Sequence, residues 1–533
     1  MSELFGIISR GKAAAPELSG TLAPDRVIHR GSAVFGLFHD AGAAFEVAPE
    51  SITIGMRSAK LPHAHGVEFA FKRDRLVITT DIAEQRRLYW QENGDAIAVA
   101  TRLDLLQPQP PAIDAASFIG QWCLSMNVSP RPLFDGVRRL HVGHALSIHE
   151  DGSIHVSPVP PSVDPPAEPL EALRQCMRDY SQHDIVLGLS GGVDSRTLAS
   201  VLVNMGIPFR VHTYGSMAMP DVQRAAAVAR AAGVEIAITD LSAMQFDVDA
   251  VLRSMRRTAW QTEGSYPGAH ALVFDDAGKR IGSNALLIDG GYGALHRGGF
   301  GNALLWRHRR AVTNRDARVL ASALRRRTPA LLHEEFRQQA GQILVDLVDQ
   351  AIMAMPAPTQ PRPWIDAFFT RWNPPGFVAS PQSVYDARMA SVMPFLDARV
   401  MHAFASVPAE KRAGGRIFRA ALRRTPGIAT LPYVGKRSDV PFAAAGRPLP
   451  TALVQRFSQP YPPHIHGAID RIVFAVVRPA MLDAAHSNGA DPFQLFNNGA
   501  VQHLLQATMP DGDASDIAQL MDWFSMYLMG RKN

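Results

Sequence analysis

Up to about residue 158 the apolar positions of the chain fall in short runs separated by polar turns. Residues 32–38 (SAVFGLF), 75–80 (RLVITT) and 96–100 (AIAVA) are examples. Runs of this length bounded by turn residues predict β-strands. Beyond that region the pattern changes. Residues 184–189 (DIVLGL) predict a buried strand, and 195–205 carry helical periodicity. Residues 209–214 predict a second strand, 222–232 a second helix and 236–239 a third strand. Strands alternating with helices imply a parallel, doubly wound sheet. From residue 400 onward the pattern is mainly helical. The spacing over 517–528, with Trp523 and Tyr527, reads as a core face rather than a partner face. No internal repeat is visible.

The two patterns meet at residues 158–169, PVPPSVDPPAEP. Proline at this density excludes a helix interior and favours extended chain. The stretch reads as a linker between a domain at 1–157 and another at 170–533. The alternative is a proline-rich surface loop within one domain. A length of 533 residues independently calls for two or more domains.

Composition narrows the class. A hydrophobic share of 47% and a charged share of 19% exclude a mostly disordered chain. No apolar stretch reaches the roughly 20 residues needed to span a bilayer. The first residues, Met1-Ser2-Glu3-Leu4-Phe5-Gly6, lack a basic segment followed by an apolar one, so a cytoplasmic protein with no membrane partner is expected. Two cysteines, Cys123 and Cys176, exclude a disulfide scaffold and a four-thiolate metal site. The net charge of +5 is mostly arginine, densest at Arg307, Arg309, Arg310, Arg315 and Arg318 beside His308, and again at Arg325-Arg326-Arg327. Solvated helix faces are the plainer reading, with an acidic peptide as plausible a ligand as a phosphate backbone. Few aromatics are interleaved, so nucleic acid is not an expected partner.

The most informative stretch is Leu187-Gly188-Leu189-Ser190-Gly191-Gly192-Val193-Asp194-Ser195-Arg196. It falls between a predicted strand and a predicted helix. Paired glycines let backbone approach a phosphate, and a helix start offers unpaired N–H groups to an anion. Ser190 and Ser195 add hydroxyl donors. Asp194 would repel a phosphate directly, so it reads as a ligand for a Mg²⁺ ion that neutralises phosphate charge. The signatures GxxxxGK and GxGxxG are both missing from the loop. The alternative is a Gly-rich turn.

The SGGxDS string resembles the pyrophosphate loop of ATP pyrophosphatases, which cleave ATP between its α and β phosphates. Other segments resemble asparagine synthetase-like proteins in particular. His29-Arg30-Gly31 is similar to the HRGP element of their glutaminase-like domain. Residues 133–140, followed by Gly143-His144, are similar to an element near that domain's end. Residues 394–400 resemble their PFLD segment, and Leu431-Pro432 with Gly435-Lys436 resembles a late segment carrying an active-site lysine. The order matches over nearly the whole chain. The resemblance implies an α/β architecture: an N-terminal glutaminase-like αββα domain of the Ntn type, then a larger doubly wound ATP pyrophosphatase domain with a helical C-terminal region. It also implies ATP and Mg²⁺ as cofactors. Leu187, Leu189, Ser190, Gly191, Gly192, Asp194 and Ser195 would then hold the nucleotide, with Thr213, Tyr214 and Gly215 closing its site. A packing aromatic at a strand end is the equal alternative for Tyr214.

Three departures qualify the match. Glutamine-using members carry a cysteine after the initiator Met, where this chain has Ser2, a much poorer nucleophile. The first domain is therefore expected to lack amidohydrolase activity, and the amine is expected to come from the substrate. Second, residues 287–295 resemble the family's SGxGxDE segment, but Ala294 and Leu295 stand at the acidic pair. Asp289 is the nearby candidate for a second metal carboxylate. Tyr292 resembles a tyrosine that assists amine deprotonation in β-lactam synthetases, with a packing tyrosine as the alternative. Third, Ala390 and Val392 stand where the family often has an acid and an arginine, so Asp386 and Arg388 either replace them or form a surface pair.

These features place the chain nearest the lasso peptide cyclases of the family. That branch implies a precursor core peptide as substrate, with a leader peptidase and a leader-recognition protein as partners. Lys436 would stabilise the oxyanion of the tetrahedral intermediate, with a surface lysine beside Arg437 as the alternative. A small-molecule amide synthetase, such as a β-lactam synthetase, and a non-catalytic nucleotide-binding scaffold are the other readings.

Overall fold

The computed structural model describes the chain except residues 1–2, 10–23, 39–44, 57–63, 107–111, 127, 130, 160–167, 241–243, 267, 283, 299, 356–359, 374–379, 436–437, 445–447, 460, 462–467, 487–493, 507–516, 518–519, 522 and 524–533. The N-terminal strands are β1 (Glu3–Ser9), β2 (Arg26–Arg30), β3 (Ala33–Phe38), β4 (Phe45–Ala48), β5 (Ser51–Gly55), β6 (Gly66–Phe71), β7 (Arg75–Thr80), β8 (Tyr89–Asn93), β9 (Ala96–Ala100), β10 (Arg138–Arg139), β11 (His144–His149) and β12 (Ile154–Pro158). They form two six-stranded antiparallel sheets, ordered β10-β8-β9-β1-β3-β2 and β12-β11-β7-β6-β5-β4. Period-two alternation sends Leu4, Phe35, Leu37, Ile54, Phe69, Ile78, Val99 and Leu146 into one core between the sheets. The runs read as strands from sequence at 32–38, 75–80 and 96–100 are β3, β7 and β9.

The first region also holds helix α1 (Ala115–Leu124), and the second opens with helix α2 (Pro169–Tyr180). Pro169 sits in the first turn of α2, where its missing N–H is not needed. Thus β12 ends and α2 begins at the two outer prolines of the linker stretch, while residues 160–167 lie outside the described residues. There follow β13 (Asp184–Gly188), α3 (Val193–Met205), β14 (Arg210–Tyr214), α4 (Pro220–Ala232), β15 (Ile236–Thr239), α5 (Val248–Thr262), α6 (Gly268–Ile281), β16 (Ala285–Asp289), α7 (Gly293–His296) and β17 (Ala390–Val392). Both α3 and α4 stop at a glycine in the left-handed conformation, Gly206 (φ 66°) and Gly233 (φ 70°). The strands form one parallel sheet in the order β15-β14-β13-β16-β17. The direction of winding reverses beside the central β13, which is where open α/β sheets bind ligands. A short hairpin, β18 (Tyr433–Val434) and β19 (Asp439–Val440), follows a mainly helical stretch. Among the described residues no helix is long and apolar enough to cross a membrane.

The two regions are joined by packing and by buried charge. Helix α1 lies on the helix Glu334–Met353 and shares a core with the second region. Phe118 of α1 meets the fully buried Trp523 edge-on at 4.8 Å. That agrees with a core face at Trp523, and Tyr527 lies outside the described residues. Between the regions, Arg87 Nη1 lies 3.0 Å from Glu263 Oε1, and the Tyr89 hydroxyl donates to the same oxygen at 2.6 Å. Asp386 reaches His65 Nε2 at 2.8 Å and Arg86 Nε at 3.3 Å, with all three side chains almost fully buried. Buried charges are tolerated only when paired in this way.

Candidate active site

At the carboxyl end of β13 the chain turns through Ser190-Gly191-Gly192 into α3. The loop is held by its own serines. Ser195 Oγ accepts from the Ser190 N–H at 3.1 Å, and Ser190 Oγ accepts from the Gly192 N–H at 3.2 Å. Gly192 is the N-cap of α3, and no side chain caps that end. An uncapped helix start at a strand end is suited to an anion. Gly191 is covered by Val434, whose N–H donates to the Gly191 carbonyl at 3.1 Å. The Gly191 N–H is taken by Asp221 Oδ1 at 3.1 Å.

A second glycine-rich turn, Gly290-Gly291-Tyr292-Gly293, follows β16 and lies directly on this loop. A Cβ at Gly290 would stand 2.7 Å from both Ser195 N and Cα, and one at Gly293 would stand 2.4 Å from Asp194 Cγ. Gly290 is pressed against the Ser195 backbone and Gly293 against the Asp194 side chain, so neither position has room for a Cβ. The two turns, with the ends of β14 and β16, wall a cavity of about 320 Å³. Leu189, Ser190, Gly192, Asp194, Ser195, Thr213, Tyr214 and Asp289 all line it. Leu187, Gly191 and Gly215 do not: Leu187 is fully buried in β13, and Gly215 (φ 125°) closes on Met219.

Several cavity residues had no local sequence signal. Phe274 of α6 and Tyr385 stand with ring centroids 4.5 Å apart, and both line the cavity. The Tyr385 hydroxyl donates to Asp289 Oδ2 at 3.2 Å, while Asp289 Oδ1 accepts from the Gly291 N–H at 2.6 Å. Burial nevertheless raises the Asp289 carboxyl above its usual range. Arg196 was also missed. Its buried guanidinium donates to the carbonyls of Leu431 at 2.7 Å and Pro432 at 2.9 Å and lies 4.0 Å from the Tyr433 ring centroid. Arg196 thereby ties the late Leu-Pro segment to the loop. Lys436, which follows that segment, lies outside the described residues, as do Ser2 and Gly299.

Three sequence expectations change. Tyr292 is not among the cavity residues. It starts α7 in the left-handed conformation (φ 78°), is 5% exposed, and its buried hydroxyl has no hydrogen-bond partner. Its ring faces Phe300 at 6.4 Å, which is the packing alternative. Asp386 and Arg388 neither line the cavity nor form a surface pair. Asp386 is spent on the first domain, and Arg388 Nε donates to Asp275 Oδ1 at 2.7 Å. Asp194, expected to hold Mg²⁺, is paired bidentately with Arg297, Nε to Oδ1 at 2.7 Å and Nη2 to Oδ2 at 2.8 Å. With Ala294 and Leu295 at the acidic positions, no group of three metal-ligating side chains exists among the described residues. The donor set of Asp194 and Asp289 is already committed and does not fit a protein-built magnesium site.

His296, next to Arg297, is buried against Phe404 at 4.3 Å, and its Nε2–H donates to the Phe395 carbonyl at 2.7 Å. Burial pushes its pKa down to about 4, so it is neutral when folded. The unfolded imidazole gains a proton near pH 6.5, so stability is lost as pH falls from there towards 4, by on the order of 3 kcal/mol. His296→Gln keeps an N–H donor without that titration. Its Tm is expected to fall less than the wild-type Tm between pH 7 and pH 4.5, as scanning calorimetry would show.

A parallel α/β domain with a glycine-serine anion loop at its switch point is the class this geometry defines. Residues 170–432 match the family described as Asparagine synthase. The chain therefore carries an asparagine synthetase-like domain, that of an ATP-dependent amide-forming synthetase. No curated protein matches the sequence. Among solved structures, one titled "Structure of the allosteric regulatory enzyme of purine biosynthesis" is similar at 10% identity, with 45% of this chain and 74% of that chain covered and a TM-score of 0.16.

Proposed function

We propose that this chain is a lasso peptide cyclase, an ATP-dependent macrolactam synthetase. The observation that carries the nucleotide part is the Ser190–Ser195 loop facing a cavity walled by the ends of β13, β14 and β16. The aromatic wall of Phe274 and Tyr385 suits a purine base, and the loop suits its phosphates. A side-chain carboxylate of an Asp or Glu in the core peptide attacks the α-phosphorus of ATP. The bond to the β-phosphate oxygen breaks, pyrophosphate leaves, and an acyl-adenylate forms. The peptide's N-terminal amine then attacks the acyl carbon, loses a proton and expels AMP. Holding both groups in one site makes this step effectively unimolecular. The α3 N-terminus and the loop hydroxyls stabilise the departing pyrophosphate.

The substrate half of the proposal rests on Ser2 in place of the family's cysteine and on the loss of the acidic pair at Ala294 and Leu295. A serine hydroxyl is a much poorer nucleophile than a thiolate, which favours an amine supplied by the substrate, and the changed acidic pair sets the synthetase site apart from the family pattern. A leader peptidase and a leader-recognition protein would work beside it, and the reaction would take place in the cytoplasm. The test is incubation with ATP, magnesium and a core peptide, following AMP and the loss of one water by mass spectrometry. Turnover with peptide only is the expected result. Turnover with a free amino acid would show a small-molecule amide synthetase instead. ATP bound without AMP formed would show a scaffold.

A further inference from the structure

Asp194 sits in the wall of the phosphate loop, yet a bare carboxylate there would repel the phosphates it faces. The structure cancels that charge from within. Arg297 closes on Asp194 through two N–H donors at 2.7 and 2.8 Å, with the two side chains only 24% and 21% exposed. The arginine is held from behind. Its Cδ lies 3.1 Å from where a Cβ would stand on Gly415, and its guanidinium is 5.9 Å from the Phe418 ring centroid. The backbone of Gly293 covers another face of the carboxylate, so closely that a Cβ there would meet Asp194 Cγ at 2.4 Å. Both oxygens of this carboxylate already accept from Arg297, which leaves neither unpaired for a metal ion. Arg297 itself lies two residues beyond Leu295, just after the segment where Ala294 and Leu295 stand at the acidic positions.

We infer that Arg297 is the resident cation of this nucleotide site, neutralising Asp194 so that the chain binds nucleotide phosphates without a metal ion held by its own side chains. The inference rests on the reading of the cavity as a nucleotide site. Asp194 and Arg297 then have opposite effects on nucleotide binding, whereas a metal-ligand Asp194 would favour it.

The test titrates ATP into the full chain by calorimetry, once with magnesium and once with EDTA. Wild-type affinity is expected to differ by no more than roughly threefold between the two buffers. Arg297→Met, which keeps the stem, exposes Asp194 to the phosphates, so affinity in EDTA is expected to fall by about tenfold and to recover in part with magnesium. Asp194→Asn removes the repelling charge and leaves Arg297 unpaired, so affinity in EDTA is expected to rise by roughly fivefold. Magnesium-dependent binding in the wild type that Asp194→Asn abolishes would overturn the inference and leave the nucleotide reading standing. No ATP binding in either buffer would overturn the nucleotide reading. In that event Mn²⁺ titration of the nucleotide-free chain still decides the metal question. Mn²⁺ bound by the wild type and lost in Asp194→Asn refutes the inference, and no bound Mn²⁺ upholds Arg297 as the partner of Asp194 in place of a metal but not its role in nucleotide binding.

Discussion

Gly290→Ala is expected to abolish AMP release, by about 100-fold or more, while leaving a folded chain. The added methyl would stand 2.7 Å from Ser195 N and Ser195 Cα. Both are backbone atoms of the α3 start, so no side chain can rotate away. One of the two turns has to move, and the loop proposed to receive phosphate is the one in contact. A shift of about 1 Å in groups that position reactants costs roughly 100-fold in rate. Overpacking itself costs about 1–3 kcal/mol, a loss a domain of this size can survive. The check is AMP formation by chromatography beside a thermal melt. Gly341→Ala is the control, since a Cβ there meets nothing within 4 Å on an exposed helix position. It is expected to keep full activity and a Tm at or slightly above the wild type. Full activity in Gly290→Ala would mean that the two turns do not act as one site.

Asp386→Ala is expected to be the most destabilising single change, at about 3–5 kcal/mol. Its Oδ2 meets His65 and Arg86, and its Oδ1 accepts from Gln382 Nε2 at 2.8 Å and Ser391 Oγ at 3.2 Å. Burial alone would raise this carboxyl, but His65 and Arg86 outweigh it and hold it below the usual range. A depressed carboxylate contributes its stability above the unfolded value near pH 4 and loses it only as pH falls further, so the full effect is present at pH 7. Removing the carboxylate takes one of its two anionic neighbours from the buried Arg86 guanidinium, leaving Glu3 of β1 at 3.4 Å as the other. The measurement is urea unfolding at pH 7. Because Tyr385 precedes Asp386 and holds Asp289, ATP affinity is expected to weaken in the same variant. An unchanged midpoint would show that the two regions do not depend on this network.

The elements were legible because they follow from local pattern. The runs at 75–80, 96–100 and 236–239 are strands with those bounds, and the helices read from 195 and 222 start two residues earlier, at Val193 and Pro220. The glycine-serine loop between β13 and α3 was legible for the same reason, since strand, glycine pair and helix start are consecutive in the chain. What crosses the fold was not. Tyr385 and Phe274 meet at the cavity from segments more than a hundred residues apart. Arg297 closes on a carboxylate 103 positions away. Asp386 reads as polar surface until its partner is seen to be His65, 321 positions earlier.

The sequence by itself therefore determined the element types, the order of strands and helices, and the place of the anion loop, because each depends on residues a few positions apart. Only the tertiary structure decided which charges face one another. That Asp194 meets an arginine, that Tyr292 packs away from the cavity, and that the N-terminal strand region is tied to the parallel-sheet region through Asp386 all depend on contacts between distant segments. Charge pairing falls off with distance in space, and distance along the chain says little about it.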